Sequence, residues 1–332
     1  MGRTIPAKIT GVAGWVPPRV VTNADLEKMV ATNDEWIRTR TGIRKRHFAD
    51  EQTAASHLAV EAVKKLLAEK HASPEEIDLI VVATVTPDML FPATACLVQE
   101  RIGATKAWGF DLSAACSGFV YALTVCAQFV GAGTARKALA VGSDKMTSIL
   151  NFEDRATCVL FGDGAGVCLV EPAADTETGI IDFTHDVDGA GACHLYMPGG
   201  GSLHPPSQDT VDKKMHFVHQ EGQQVFKYAV RRMADVACQL LERNGFTHRD
   251  LALVIPHQAN LRIIKAMQER LGIPDQKVLV NIDRYGNTTA GTIPLGMMTA
   301  LEERRLKKGD LVMLVSVGAG FTTGGMLLRW AY

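Results

Sequence analysis

Gln99-Glu100-Arg101-Ile102-Gly103 and Gln268-Glu269-Arg270-Leu271-Gly272 are nearly the same five residues, and their surroundings match as well. Before the first lies Ser73-Pro74-Glu75-Glu76-Ile77-Asp78, then an apolar run from Leu79 to Val85. Before the second lies Thr247-His248-Arg249-Asp250, then an apolar run from Leu251 to Ile255. After the first, Ala107 to Phe110 leads through Asp111 to Cys116. After the second, Val278 to Ile282 leads through Asp283 to Asn287. Each half reads helix, strand, helix, strand, then a polar or nucleophilic residue opening another helix. This ordered recurrence predicts a duplicated α/β unit, with Cys116 and Asn287 as equivalent positions near a pseudo-twofold axis.

The length agrees. At 332 residues the chain makes two units of the usual ~150 residues, expected as 1–175 and 176–332. A content of 47% hydrophobic and 6% aromatic residues implies a large aliphatic core, and a net charge of −1 argues against a nucleic-acid or polybasic membrane surface. Met1 to Ile9 has no apolar stretch of the secretory kind. The seven cysteines show no C-x-x-C or His-Cys metal spacing, so a reduced, cytoplasmic chain without disulfides or a metal site is expected. Leu112 to Ala135 carries no charge and approaches a membrane span in length. Its Ser113, Ser117, Gly118, Thr124, Gln128, Gly131, Gly133 and Thr134 suit instead a helix buried at the centre of a layered protein.

Strands are predicted over 6–14, 78–85, 107–111, 137–143 and 165–171, and then over 251–256, 278–283, 311–317 and 324–330. Helices are predicted over 54–70, 116–132, 222–244, 260–271 and 291–307, with Asn23-Ala24-Asp25 capping another. Glu171 to Gly179 reads as a connection between the halves. Buried apolar strands between helices predict mainly parallel sheets covered on both faces. Gly189 to His219, rich in Gly, Pro, Ser and His, is expected as an excursion beside a site or an interface.

Three strand-to-helix junctions carry chemistry. Asp111-Leu-Ser-Ala-Ala-Cys116-Ser-Gly118 places a thiol at a helix start, where the backbone dipole lowers a thiol pKa to as little as ~3.5–7.5. The alternative, a buried structural cysteine, suits Cys96, Cys126, Cys158, Cys168 and Cys238 better. Pro256-His257-Gln258-Ala259-Asn260 follows a buried strand, at the strand end where open α/β folds place ligands; Asn260 is also a helix cap. Arg284-Tyr-Gly286-Asn287-Thr288-Thr289 sits at a similar junction. Gly162-Asp163-Gly164-Ala165-Gly166 lacks nucleotide-loop spacing and reads as a tight turn, while Gly318-Ala319-Gly320-Phe321 ends a strand with N–H groups free to face an oxyanion.

Together with Asn33-Asp-Glu-Trp36-Ile-Arg-Thr-Arg40-Thr-Gly42-Ile-Arg44, Phe161-Gly-Asp-Gly-Ala-Gly166 and Pro256-His257-Gln-Ala-Asn260-Leu-Arg262, these segments resemble the β-ketoacyl-acyl carrier protein synthase III family of the thiolase-fold superfamily over essentially the full length. The resemblance implies a thiolase-like α/β fold of two similar halves in a five-layered α-β-α-β-α arrangement, assembled as a homodimer. It implies a Cys116, His257, Asn287 triad that condenses an acyl-CoA primer with malonyl-acyl carrier protein through an acyl-cysteine, with no metal or cofactor. It implies an oxyanion hole of the Cys116 and Ala319 N–H groups, and CoA contacts from Trp36, Arg40, Arg155, Gly222 and Asn260. Val317 and a partner-reaching Phe91 are implied at the acyl pocket, and Lys227 and Arg262 at the carrier-protein dock.

Three features depart from the family pattern, one of them the Gly189–His219 excursion, which is longer than in the shortest members. Ala319 stands where the family carries a glycine, and Val317 where some members carry Phe. Degradative thiolases would require a second cysteine in the C-terminal glycine loop, and elongating synthases a second histidine; neither is present. A related condensing enzyme of polyketide, alkyl-quinolone or long-chain ketone synthesis stays open, and a non-catalytic scaffold would require a broken triad.

Overall fold

The computed structural model describes residues 6–174 and 177–332. Nine strands make two sheets: β1 (Ala7–Trp15), β2 (Leu79–Ala83), β3 (Trp108–Leu112), β4 (Ala138–Asp144), β5 (Gly164–Pro172), β6 (Gly179–Val187), β7 (Leu253–Pro256), β8 (Leu311–Gly318) and β9 (Thr322–Arg329). The first sheet runs β1-β5-β4-β2-β3 and the second β6-β9-β8-β7. In both, the first two neighbour pairs are antiparallel and the next is parallel. The duplication is therefore written in the strand order itself. The sheets are mixed, however, not mainly parallel as expected.

Six helices complete the layers: α1 (Ala55–Lys70), α2 (Thr94–Ile102), α3 (Gly118–Gly131), α4 (Gly222–Arg243), α5 (Leu261–Leu271) and α6 (Thr292–Glu302). Alternation along each strand divides the core. On β2, Leu79, Val81 and Ala83 face a central cluster that includes Phe119 and Leu123 of α3 and Ile293 and Met297 of α6, and on the far side Leu314 of β8. Ile80 and Val82 face the opposite way, against Leu58 and Leu66 of α1 and Val98 of α2. Met313 and Val315 of β8 likewise face Leu240 of α4 and Ile264 of α5. The order is α1/α2, sheet, α3/α6, sheet, α4/α5: five layers. No helix among the described residues is long and apolar enough to cross a membrane. Most of the uncharged run is α3, largely buried because it lies between two sheets, with Gln128 exposed near its end.

The repeated pentapeptide does the same work twice. It ends α2 and α5, and Gly103 (φ 74°) and Gly272 (φ 63°) supply the left-handed C-caps. Gln99 Nε2 donates to the Ala104 carbonyl at 2.6 Å, and Gln268 Nε2 to the Ile273 carbonyl at 3.0 Å. The side chain thus satisfies the turn that follows each helix.

Several expectations are corrected. Residues 278–283 form no strand: Val278 makes a single bridge with Val254, and the chain then becomes a short helix, Ile282–Tyr285. Side chains take over there. The Asn281 N–H goes to Gln258 Oε1, and Asn281 Nδ2 to Leu295 O and Thr299 Oγ1. Strand β6 was not foreseen, because its half-exposed Asp182, His185 and Asp186 break any apolar run. Helix α6 ends at Glu302 rather than 307, with Arg304 left-handed at φ 54°. Thr22, not Asn23, caps the first short helix, and buried Asn23 instead receives a bond from Arg46. Cys96 and Cys238 are exposed rather than core residues. The expected division at 175/176 falls outside the described residues.

Candidate active site

Cys116 lies in the tight turn Ala115–Ser117, with Ala115 at φ 47°. The matching turn of the second half is Thr289–Gly291, with Thr289 at φ 52°, so the backbone equivalent of Cys116 is Ala290. The expected equivalence with Asn287 is off by three residues, although both side chains reach the same cavity. Ser117 Oγ donates to Thr322 O at 3.1 Å, and Thr322 Oγ1 donates to Ala114 O at 2.9 Å. These bonds stitch the cysteine turn to the loop that follows β8. Gly318 is packed so closely there that a Cβ would stand 2.7 Å from the Cys116 nitrogen. Ala319 keeps a negative φ; only Gly320 of that loop is left-handed, at φ 99°.

His257 follows β7, and its N–H donates to Val315 O at 2.8 Å, which continues the β7–β8 ladder. Its Nδ1 lies 2.6 Å from Thr292 Oγ1. Asn287 is clamped by the glycine segment at Phe161–Gly162: its N–H donates to Leu160 O, and its carbonyl accepts from Gly162 N–H. That segment is a brace for Asn287, not merely a turn. Asn287 Oδ1 accepts the Thr289 N–H at 2.9 Å, leaving Nδ2 as the group offered to the cavity.

A cavity of about 450 Å³ brings Cys116, His257 and Asn287 together with Trp36, Arg40, Gly222, Asn260, Arg262 and Val317. Asn260 Oδ1 caps α5 by accepting the Arg262 N–H at 2.8 Å, so it serves helix and cavity at once. A second, smaller cavity of about 120 Å³ lies on the other side of Cys116, walled by Val85, Met146, Ile149, Val218, Thr289 and Ala319. Cys116, Phe161 and Leu195 border both. The thiol therefore stands at the junction of a long approach and an apolar recess. Val317 faces the approach and not the recess. Leu195, Tyr196, Met197 and Val218 bring the 189–219 excursion to the recess wall.

Of the other expected residues, Arg155, Phe91 and Lys227 lie outside these walls, while Arg40 and Arg262 line the larger cavity. Arg155 and Arg40 stand over the Trp36 ring, their guanidinium carbons 5.0 and 4.7 Å from its centre. A base inserted between Trp36 and Arg155 would have to spread them. Phe91 is 83% exposed, beside exposed Met89 and Leu90, and borders neither cavity. Lys227 is exposed on α4. Arg262 lies over Phe226 at the larger cavity.

The electrostatics correct one expectation. Burial, together with the Asp144 carboxylate, pushes the Cys116 thiol up to about 12 rather than down. Helix α3 starts only at Gly118 and Cys116 is 7% exposed, so desolvation outweighs the dipole. Burial also pushes His257 down to about 3, which makes it a neutral imidazole. Asp144 is pushed up to about 6 by burial, opposed by donors from Val85, Thr84, Thr86 and Ala290. The sequence reading missed Asp144, Thr289 and Thr292. Asp144 had a usable signal, an acid ending an apolar strand; the two threonines had none. Among the described residues no group of three or more His, Cys, Asp or Glu is placed to hold a metal ion.

A buried thiol sharing a cavity with a neutral imidazole and a carboxamide suits acyl transfer followed by stabilisation of a developing oxyanion. Comparison with known proteins agrees. Residues 110–195 match the family model of 3-oxoacyl-[acyl-carrier-protein] synthase III, and residues 241–330 match its C-terminal model. The chain is 58% identical to the β-ketoacyl-[acyl-carrier-protein] synthase III of Solibacter usitatus, over 98% of this chain and 99% of that one. It is 57% identical to that of Koribacter versatilis, over 98% of each. The crystal structure of the synthase III from Aquifex aeolicus superposes with a TM-score of 0.91 at 43% identity, covering 98% of this chain and all of that one. The chain belongs to the β-ketoacyl-[acyl-carrier-protein] synthase III family.

Proposed function

We propose that the chain joins an acyl-CoA primer to malonyl-acyl carrier protein by decarboxylative condensation, giving a 3-ketoacyl-carrier protein that starts fatty-acid synthesis. The observation that carries this reading is Cys116 at the junction of the two cavities, with His257 and Asn287 on the approach side. The Cys116 sulfur attacks the acyl-CoA thioester, its proton leaves with the CoA thiol, and the acyl chain enters the apolar recess. The N–H groups of Cys116 and Ala319 hold the tetrahedral oxyanion; the close packing at Gly318 and the negative φ of Ala319 favour this. Malonyl-carrier protein then occupies the approach. His257 Nε2 and Asn287 Nδ2 donate to its thioester oxygen, which gains charge as carbon dioxide departs. Donors that tighten as charge develops lower the barrier rather than the ground state. The resulting carbanion attacks the acyl-Cys116 carbonyl and expels the Cys116 thiolate, which takes up one proton from water to restore the thiol.

CoA is substrate here, and no resident cofactor or metal enters the scheme. Trp36, Arg40 and Arg155 suit the adenine end by stacking and cation–π attraction, with Gly222 and Asn260 along the pantetheine path. Arg262 and Lys227 offer positive charge to an acidic carrier protein. Exposed Met89, Leu90 and Phe91, and the open edge strand β3 with half-exposed Trp108, favour a homodimer in which Phe91 closes the partner's recess. A cytoplasmic place fits the free cysteines, and the two sheet systems fit halves 1–175 and 176–332.

The test is mass spectrometry of the protein after exposure to a panel of acyl-CoAs, followed by malonyl-carrier protein. Acylation confined to Cys116 and discharged into a 3-ketoacyl-carrier protein is expected. Label on another cysteine, or none with any primer, would defeat the reading.

A further inference from the structure

We propose that Thr292 is a positioning residue that holds the ring proton of His257 on Nε2, the nitrogen offered to the substrate. The inference rests on the role given to His257 above and names what sets it. A neutral imidazole carries one N–H, and which nitrogen bears it depends on what the other nitrogen meets. Here the neighbour of Nδ1 is the Thr292 hydroxyl, at 2.6 Å, with both residues 2% exposed and no room for solvent to arbitrate.

The hydroxyl has one proton and two acceptors in reach: His257 Nδ1 at 2.6 Å and Thr289 O at 3.1 Å. The Thr289 carbonyl is already served, because it accepts the Thr292 backbone N–H. Donation to Nδ1 is therefore the shorter bond and leaves no buried carbonyl unpaired. Nδ1 is then the acceptor, and the ring N–H stands at Nε2. The opposite arrangement would point a lone pair at an oxygen gaining negative charge, which repels it. Burial lowers the pKa of His257 enough that a doubly protonated ring does not remove the choice.

The pseudo-repeat sharpens the point. Thr292 is the first residue of α6, and counting from the left-handed pair Ala115 and Thr289, its partner in the first half is Gly118, which opens α3. The same backbone position carries no side chain where there is no histidine to orient.

The experiment uses the full-length protein with ¹⁵N-labelled histidine, and His257→Ala to assign the His257 signals. In the wild type the ¹⁵N shifts should report a protonated Nε2 and a bare Nδ1. Thr292→Val, nearly the same shape without the hydroxyl, should mix the tautomers. It should lower malonyl-carrier protein decarboxylation by roughly three- to tenfold, the factor one net hydrogen bond commands, while acyl transfer to Cys116 stays near wild type. Thr292→Ser should restore both the shifts and the decarboxylation rate. A wild-type spectrum with the proton on Nδ1 would overturn the proposal without any variant. So would unchanged shifts and decarboxylation in Thr292→Val. If His257→Ala instead lost acyl transfer and decarboxylation equally, the reading of His257 as an enolate donor would fall, whatever Thr292 does.

Discussion

Gly318→Ala is the sharpest probe of the oxyanion site. The added Cβ would meet the Cys116 nitrogen at 2.7 Å, Thr322 Oγ1 at 2.8 Å and Ala114 O at 2.9 Å. Ordinary contact begins near ~3.4 Å, so the cysteine turn and the loop must part by about 0.7 Å. Neither side yields cheaply, because Thr322 Oγ1 and Ser117 Oγ bind the two together. A donor must lie within ~2.7–3.1 Å of the oxyanion to act, and losing one costs ~10²–10³ in rate. Overpacking of this kind also costs ~1–3 kcal/mol of stability. The expected outcome is a loss of about a hundredfold in the rate of acyl-Cys116 formation, followed by intact-protein mass spectrometry, with a modest drop in the urea midpoint. Gly320→Ala is the control. Its φ of 99° makes alanine strained, yet its nearest contact would be Thr322 Cγ2 at 3.6 Å. That variant should lose stability, ~1–3 kcal/mol, and keep most of its acylation rate. Wild-type acylation by Gly318→Ala would refute the oxyanion assignment, as would equal rate losses in the two variants.

Val317→Phe should slow acylation by every primer alike, since Val317 borders the approach; Ala319→Val, which narrows the recess, should instead favour acetyl over longer primers in a C2–C8 panel. A length shift produced by Val317→Phe would reverse these assignments. Asp144→Asn removes the charge that helps raise the Cys116 thiol, so the midpoint of its alkylation by iodoacetamide should move to lower pH; an unmoved midpoint would leave burial as the sole cause. His257 binds its proton less well folded (about 3) than unfolded (6.5), so stability should fall as pH drops below 6.5. Between pH 7 and pH 5 this amounts to roughly 2 kcal/mol. His257→Gln should lack that part of the slope in chemical denaturation, and the opposite trend from Asp144, present in both proteins, cancels in the difference.

The duplicated α/β unit and the helices that end in the two glutamine-led pentapeptides were legible in the chain alone, and the three residues expected from the resemblance as a triad line one cavity. Periodicity and caps are local properties, and Cys116 and His257 each sit in a short segment whose residue types announce a strand-to-helix junction; Asn287 instead follows the short helix Ile282–Tyr285. The failures share a cause too: each depended on atoms far away in sequence. The second sheet's outer strand β6 lacks an apolar run because only one of its faces meets the core. Residues 278–283 had the composition of a strand, but Gln258, Leu295 and Thr299 claimed the polar groups of Asn281. A helix start suggested an activated thiol, whereas the walls closing around Cys116 removed the water that ionisation needs. Val317 lines the larger cavity and not the smaller, a choice sequence does not make because a strand end has two sides. Thr292 and Asp144 became visible only when folding set them against His257 and Cys116. Local chemistry marked the residues on which the proposed reaction is built; the packing of one half against the other decided their charge, their orientation and the spaces they face.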